Sequence, residues 1–477
     1  MNSIEMIPSK TIHFSGIGGT AMVAGARLAI EAGYEVRGSD GPLYPPTSLM
    51  VEKLAVPVQT GYSEDNLDWN PDLVIIGNAL SRGNPEVEAV LSRRMLYMSL
   101  PEWLKMNVLR QRQVVVVSGT HGKTTTTALT AHVLSQARSD IGYFIGGEAL
   151  GFPFSSKLGT EGAPFIIEGD EYDTAFFDKR AKFLHYLPEI AVVTSLEFDH
   201  GDIYNNLREI EIAFQRMFRQ IPQDGLVLLC ADNYALSLKN KAFSKVESYG
   251  LEAPADWQGL IKRDPNNRVL LDISYKGTKW GKVMPSLFGK HNLQNTLATV
   301  AVAATLGQQA PQIAAAVESF PGVRRRLEVF LDTGKAVFVE DFAHHPTAIR
   351  ETVAAAREHW PQKRLRVLFE PRSNTTVTNR FQKELEEAFD GADELCLGPI
   401  HRAERIAEEE RLNTQRLVEN LEKKGITAHA FTEVPPLADY ILDSLGDTDL
   451  ILILSNGAFG GLYTMLREAL APDKTQP

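Results

Sequence analysis

VVVVSGTHGKTTTT, residues 114–127, decides the reading of this chain. A four-valine run suits a strand buried on both faces, and it breaks into glycines before a lysine and a row of hydroxyls that open a helix. Strand, tight turn and helix start in that order make a cradle for the phosphates of a nucleotide. Backbone N–H groups and the positive end of the helix face the anion, a lysine ammonium neutralises the terminal phosphates, and a Ser/Thr hydroxyl ligates Mg2+. Gly119, Thr120, Gly122, Lys123, Thr124 and Thr125 fill those positions and are the candidate ATP-binding residues. The general phosphate-loop pattern has a further glycine where this chain has Val117, so the shorter form G-T-H-G-K-T-T is what must be explained. A plain strand-to-helix turn has no use for Lys123, because a cation at a helix N-terminus opposes the macrodipole.

Working outward from that strand, apolar strand-sized runs alternate with helix-like segments in three blocks along 477 residues, too many for one ordinary core. The expectation is an α/β fold of three domains. Residues 1–110 form an N-terminal Rossmann-like domain, 111–321 a central P-loop ATPase-type parallel sheet, and 322–470 a C-terminal Rossmann-like domain, with a disordered tail at 471–477. Within the central block the alternating stretch from Arg268 to Met284, turning at Lys276 and Gly277, reads as a small antiparallel hairpin. The first block opens with the strand TIHFS, then Gly16, Gly18 and Ala21, a helix, a second strand and Asp40. This is G-x-G-x-x-A with an acidic residue on the next strand, in its proper strand-turn-helix setting, and it fits a pyrophosphate. It leaves open whether the ligand is a nicotinamide dinucleotide or a nucleotide-diphosphate sugar. Asn78, Ser81 and Arg82, after the strand DLVIIGNA, line the same crevice.

Two acidic clusters sit at strand ends beside the phosphate loop. Glu168, Asp170, Glu171 and Asp173 follow PFII, and Glu197, Asp199 and His200 follow EIAVVTSL. Carboxylates crowded that closely repel, and a divalent cation shared with phosphate oxygens is their simplest relief. His344 and His345 follow the strand VFVED, with Asp341 before them and Pro346 placed to open a helix.

Bulk properties exclude several classes. A net charge of −11 leaves no basic surplus for general nucleic-acid binding. Apolar runs are strand-sized rather than membrane-spanning, and the opening MNSIEMIPSK has no export pattern. With Cys230 and Cys396 the only cysteines and not at metal spacing, a reducing cytoplasm is the expected compartment. The expected assembly is a monomer or weak homodimer.

Taken together, GIGGTAM, SGTHGKTTT, the Glu168 strand end, LEFDH, GKHNLQN, GVRRRLE and EDFAHHPT resemble, in this order, the motifs of the Mur ligases. These are ATP-dependent amide-forming enzymes of peptidoglycan synthesis, and the resemblance runs over essentially the whole chain. GIGGTAM and AHHPT are most similar to the branch acting on UDP-N-acetylmuramate. EGDEYDTAFFDKRAKF, longer than the corresponding stretch of L-alanine-adding ligases, resembles instead the enzymes that join a recycled tripeptide, L-alanyl-γ-D-glutamyl-meso-diaminopimelate, to that sugar; so do FEPRSNT and SNGAFGG. The resemblance therefore implies tripeptide ligation in peptidoglycan recycling, with L-alanine ligation as the alternative. It also implies roles for single residues. Lys123, Glu168 and His200 are catalytic, with Thr124, Glu168 and His200 holding Mg2+. Asn292 and Asn295 lie near adenine, Arg326 at the phosphates and Asp341 near the ribose of ATP. Gly16, Gly18, Gly19, Asp40, Asn78 and Ser81 hold the UDP portion, and His345 and Arg372 the peptide. One departure stands out: IEIAFQRMF has no lysine where several Mur ligases carry a carbamylated one, which leaves the ligands of a second metal open.

Overall fold

The computed structural model of the chain describes residues 10–43, 47–199, 201 and 203–470. The tail expected to be disordered, 471–477, lies outside these, as does His200. Three sheets carry the α/β fold, of five, ten and six strands, and a two-stranded hairpin stands apart from them. The chain packs as two compact units. One runs through Glu197 and takes in Asn206–Ser286 and Gln294–Pro321; the other comprises Phe198–Asn205, Leu287–Leu293 and the chain from Gly322 onward.

The five-stranded sheet of the first unit is wholly parallel, ordered Val58–Thr60, Glu35–Asp40, Thr11–Ser15, Leu73–Ile76, Tyr97–Ser99. That is the Rossmann order, whose reversal point opens a crevice at the strands' carboxyl ends. The helix Thr20–Glu31 buries Met22, Val23, Ala24, Ala26, Leu28 and Ala29, and its small residues let it lie close to its neighbours. Below the crevice, Glu86 is 0% exposed, and its carboxylate accepts from Ser15 Oγ, Ser39 Oγ and Asn66 Nδ2, each at 2.6 Å. His13 Nε2 approaches the same group at 3.5 Å. Burial alone would raise this carboxyl, but the donors outweigh it and hold it below its usual range. One charge thus fixes the ends of two neighbouring strands just where the glycine turn begins, with Gly16 and Ile17 donating to Ser39 O at 2.8 and 3.1 Å.

In the ten-stranded sheet the valine run becomes Gln113–Ser118, parallel to Pro164–Gly169 on one side and Ile190–Val193 on the other. Val114–Val117 are at most 1% exposed, which accounts for an apolar run without alternation. The expected hairpin forms from Val269–Tyr275 and Thr278–Val283. It continues the main sheet through Trp257–Arg263.

A second hairpin, Asp173–Ala175 with Asp178–Ala181, was not legible as strands. Its tip residue Phe176 packs against the N-terminal core cluster of Leu67, Val74, Ile76, Leu80 and Val87. Phe177 meets Tyr97 edge-on at 5.0 Å between ring centroids.

The six-stranded sheet of the second unit is parallel except for Glu328–Asp332, which runs against Val337–Asp341. Its aliphatic strands enclose a charged cluster. Arg366, 0% exposed, bonds Glu394 at 2.9 Å and Asp449 at 3.0 Å, both carboxylates being buried as well.

Candidate active site

The phosphate-loop turn is built by two glycines in the left-handed region, Gly119 at φ +128° and Gly122 at φ +79°. A side chain at Gly122 would bring a Cβ within 2.5 Å of Asn295 Oδ1, so both its backbone angle and its surroundings require glycine. Gly122 caps the helix Lys123–Ala137 with no side-chain hydrogen bond. The first-turn N–H groups, together with the positive end of the helix, are thus set to face an anion. Four consecutive threonines are poor helix formers, and burial from Thr124 to Leu134 stabilises them instead. Thr127 also returns its hydroxyl to Lys123 O at 2.8 Å. The loop is laced to the next strand end, Thr120 N donating to Ser195 O at 3.1 Å and His121 N to Ser195 Oγ at 2.8 Å.

Lys123 folds back over this turn. Its Nζ donates to Gly119 O at 2.7 Å and to Glu171 Oε2 at 3.0 Å, with Glu171 only 3% exposed. Burial disfavours the ammonium, yet Glu171, Asp170 and Glu168 together outweigh that and raise its pKa. Thr124 Oγ1 donates to Glu168 Oε1 at 3.1 Å, and Gly146 N to Glu168 Oε2 at 2.9 Å. Burial raises the Glu168 carboxyl.

Three of the four carboxylates in the acidic run are met by lysines. Lys123 takes Glu171, Lys182 takes Asp170 at 2.6 Å, and Lys179 takes Asp173 at 2.6 Å. Despite burial, Lys182 and Lys123 hold Asp170 down at about 2. Among the described residues only Glu168 of the four has no salt bridge to a side-chain cation, and it lies beside the Thr124 hydroxyl. In the sequence Glu171 counts only as one of a crowd of strand-end carboxylates sharing a cation, and a dense acidic run gives no sign of which one meets the lysine.

In the N-terminal crevice Gly16, Gly18, Gly19 and Asp40 lie together. Gly18 N donates to Asp40 Oδ2 at 2.6 Å, and Asp40 Oδ1 accepts from Gly41 N and from Tyr62 OH at 2.9 Å. Asn78 Nδ2 donates to Asp173 Oδ1 at 3.2 Å, and Ser81 is exposed on the following turn.

Other candidates belong to the second unit. Asp341, 7% exposed, accepts from Leu327 N and Ala343 N, each at 2.8 Å. It thereby pins the GVRRRLE turn, in which Arg325 and Leu327 adopt φ of +58° and +49°. Burial raises this carboxyl against the opposing charge of Arg326, whose guanidinium lies 4.7 Å over the Phe342 ring. Asn292 Nδ2 donates to Phe288 O at 2.9 Å. His345 N-caps the helix Pro346–His359, with Pro346 at its start as expected. Arg372 reaches Glu370 and His401, each at 3.3 Å, and Gly457 lies so close that any side chain there would strike the guanidinium.

Three family models match successive stretches of the chain. Residues 11–112 match the Mur ligase family catalytic domain, 117–303 the Mur ligase middle domain, and 325–457 the Mur ligase glutamate ligase domain. The chain is 40% identical to the UDP-N-acetylmuramate--L-alanyl-gamma-D-glutamyl-meso-2,6-diaminoheptandioate ligase of Escherichia coli (strain K12), over 96% of this chain and 98% of that protein. It is 33% identical to the UDP-N-acetylmuramate--L-alanine ligase of Geotalea daltonii, over 96% of this chain and 99% of that one. A solved structure of a murein peptide ligase from Psychrobacter arcticus is 33% identical, covers 98% of this chain and 100% of its own, and superposes with a TM-score of 0.72.

Proposed function

The chain belongs to the Mur ligase family, and we propose that it joins the tripeptide L-alanyl-γ-D-glutamyl-meso-diaminopimelate to UDP-N-acetylmuramate at the expense of ATP, in peptidoglycan recycling. The observation that carries the chemistry is the constellation of Lys123, Thr124, Glu168 and Glu171 at one strand-to-helix turn. The tripeptide rather than L-alanine is favoured by full-length identity of 40% against 33% for the two kinds of relative.

A free carboxylate resists attack by an amine because oxide is a poor leaving group. The lactyl carboxylate oxygen of the sugar therefore attacks the γ-phosphorus of ATP, releasing ADP and leaving an acyl phosphate. The peptide's free α-amine then attacks the acyl carbon, phosphate leaves with the electron pair, and the nitrogen gives up a proton. Such a sequence needs positioning and charge compensation more than covalent help from the protein. Lys123, kept cationic by its carboxylate neighbours, turns from Gly119 O toward the β- and γ-phosphates. The turn from Gly119 to Thr125 supplies backbone donors, and burial raises the Glu168 carboxyl against the nearby charge of Lys123. Thr124 and Glu168 fit Mg2+, a hydroxyl and a carboxylate 3.1 Å apart beside a phosphate cradle. When bound there, Mg2+ would neutralise charge shared between phosphate oxygens; His200 is a further ligand candidate.

Asn292, Asn295, Arg326 and Asp341 serve the nucleotide in this reading, the turn at Gly16 to Gly19 with Asp40, Asn78 and Ser81 the UDP portion, and His345 and Arg372 the peptide. Arg372 suits a peptide carboxylate because its planar fork makes paired hydrogen bonds. No described helix is long and apolar enough to cross a membrane. The test measures phosphate release with UDP-N-acetylmuramate and L-alanine, dipeptide, tripeptide or tetrapeptide in turn. Turnover with L-alanine and none with the tripeptide would assign the chain to the alternative activity.

A further inference from the structure

The short segment from Glu168 to Lys182 leaves the acidic strand end, forms the hairpin and returns. On its way it ties the ATP cradle to the sheet that carries the glycine crevice. At its base Glu171 holds Lys123. Midway, Asp173 uses separate oxygens for Asn78 Nδ2 at 3.2 Å and Lys179 Nζ at 2.6 Å. At its tip Phe176 packs against the apolar cluster beneath that crevice. The turn is braced from inside, Asp178 accepting from Arg180 Nη2 at 2.6 Å and pairing with His185 Nε2 at 3.0 Å.

We propose that this hairpin is a positioning strap for the sugar substrate: Phe176 and Asp173 fix the UDP-binding crevice at the distance from Lys123 at which the sugar's carboxylate meets the γ-phosphate. The inference rests on the UDP-sugar reading given above. Asp173 also orients the Asn78 amide. With Nδ2 committed to a carboxylate, Asn78 presents Oδ1, an acceptor for a hydroxyl or N–H of the ligand. Releasing the tip lets the two sheets move apart, and apparent affinity falls by the fraction of molecules still correctly arranged. The turn from Gly119 to Thr125 is tied to the base of the segment through Glu171 and Lys123 rather than to its tip, so ATP binding is spared.

Calorimetric titration of Phe176→Ala with UDP-N-acetylmuramate alone is the test, beside the KM for ATP. If the arranged fraction falls to about one tenth, Kd for the sugar nucleotide rises about tenfold while the KM for ATP stays within about twofold. Phe176→Leu, which keeps an apolar tip and the fold, restores most of the loss, and Asp173→Asn weakens sugar binding without a change in ATP KM. Unchanged sugar affinity in Phe176→Ala, or equal weakening of both substrates, overturns the strap. Failure of the parent protein to bind UDP-N-acetylmuramate overturns the substrate reading itself, and is seen before any variant is made.

Discussion

Replacing Lys123 by methionine keeps the aliphatic stem and removes the ammonium, and two separate losses follow. Glu171, 3% exposed, loses its 3.0 Å ion pair. Breaking such a pair from one side costs about 3–5 kcal/mol of stability. The second loss is chemical: without charge compensation at the transferring phosphoryl group, kcat should fall by on the order of a hundredfold or more. The two are separated by adding Glu171→Gln. Replacing both members of a buried pair by neutral groups of like shape is nearly cost-free, so the double variant recovers to within about 1 kcal/mol of the parent in urea unfolding. Its ligation, followed by phosphate release at saturating substrates, stays as low as in Lys123→Met. Recovery of turnover along with stability would show that the lysine only neutralises its neighbours, and near-parental ligation by Lys123→Met alone would remove it from the mechanism.

Two other perturbations test neighbouring parts of the argument. Glu168→Gln, beside Thr124, should raise the Mg2+ concentration for half-maximal phosphate release by at least about tenfold while leaving UDP-N-acetylmuramate affinity unchanged, since first-sphere carboxylates dominate binding of this hard cation; an unaltered Mg2+ dependence argues against the assignment. Glu86 is held below its usual carboxyl range in the fold, so its stabilising contribution is present above the unfolded value of about 4.3 and is lost as pH falls through the lower folded value. Glu86→Gln should accordingly cost most at pH 7, with the gap to the parent narrowing below about pH 4 in urea titrations; a gap of constant size would mean that the carboxylate's charge contributes nothing.

Much of this could be read from residues close together in the chain. The phosphate loop was legible because glycines, lysine and hydroxyls follow a valine run within fourteen residues, and the crevice because G-x-G-x-x-A and Asp40 flank a single helix. The hydrogen-bonded hub at Glu86 was not, since Ser15, Ser39, Asn66 and Glu86 meet only once the parallel strands have formed. The hairpin at Asp173–Ala181 also escaped notice: its strands of three and four residues are too short for alternation to show, and contact with another sheet holds them. Similarly, four carboxylates lie within six residues, Glu168 to Asp173, but which of them meets which lysine depends on Lys179 and Lys182 returning along the hairpin.

The buried Arg366 has a bearing on how the second unit finds its native pairing. Its strands are nearly uniform in aliphatic side chains on both faces, so sliding one past another by a residue would exchange leucine for isoleucine or valine at little loss. Arg366 stands directly opposite Glu394, and Asp449 begins the strand on its other side. Any slip strands a guanidinium in hydrocarbon. Breaking such a buried pair from one side costs about 3–5 kcal/mol, and these three residues thereby act as an alignment key for the aliphatic strands around them.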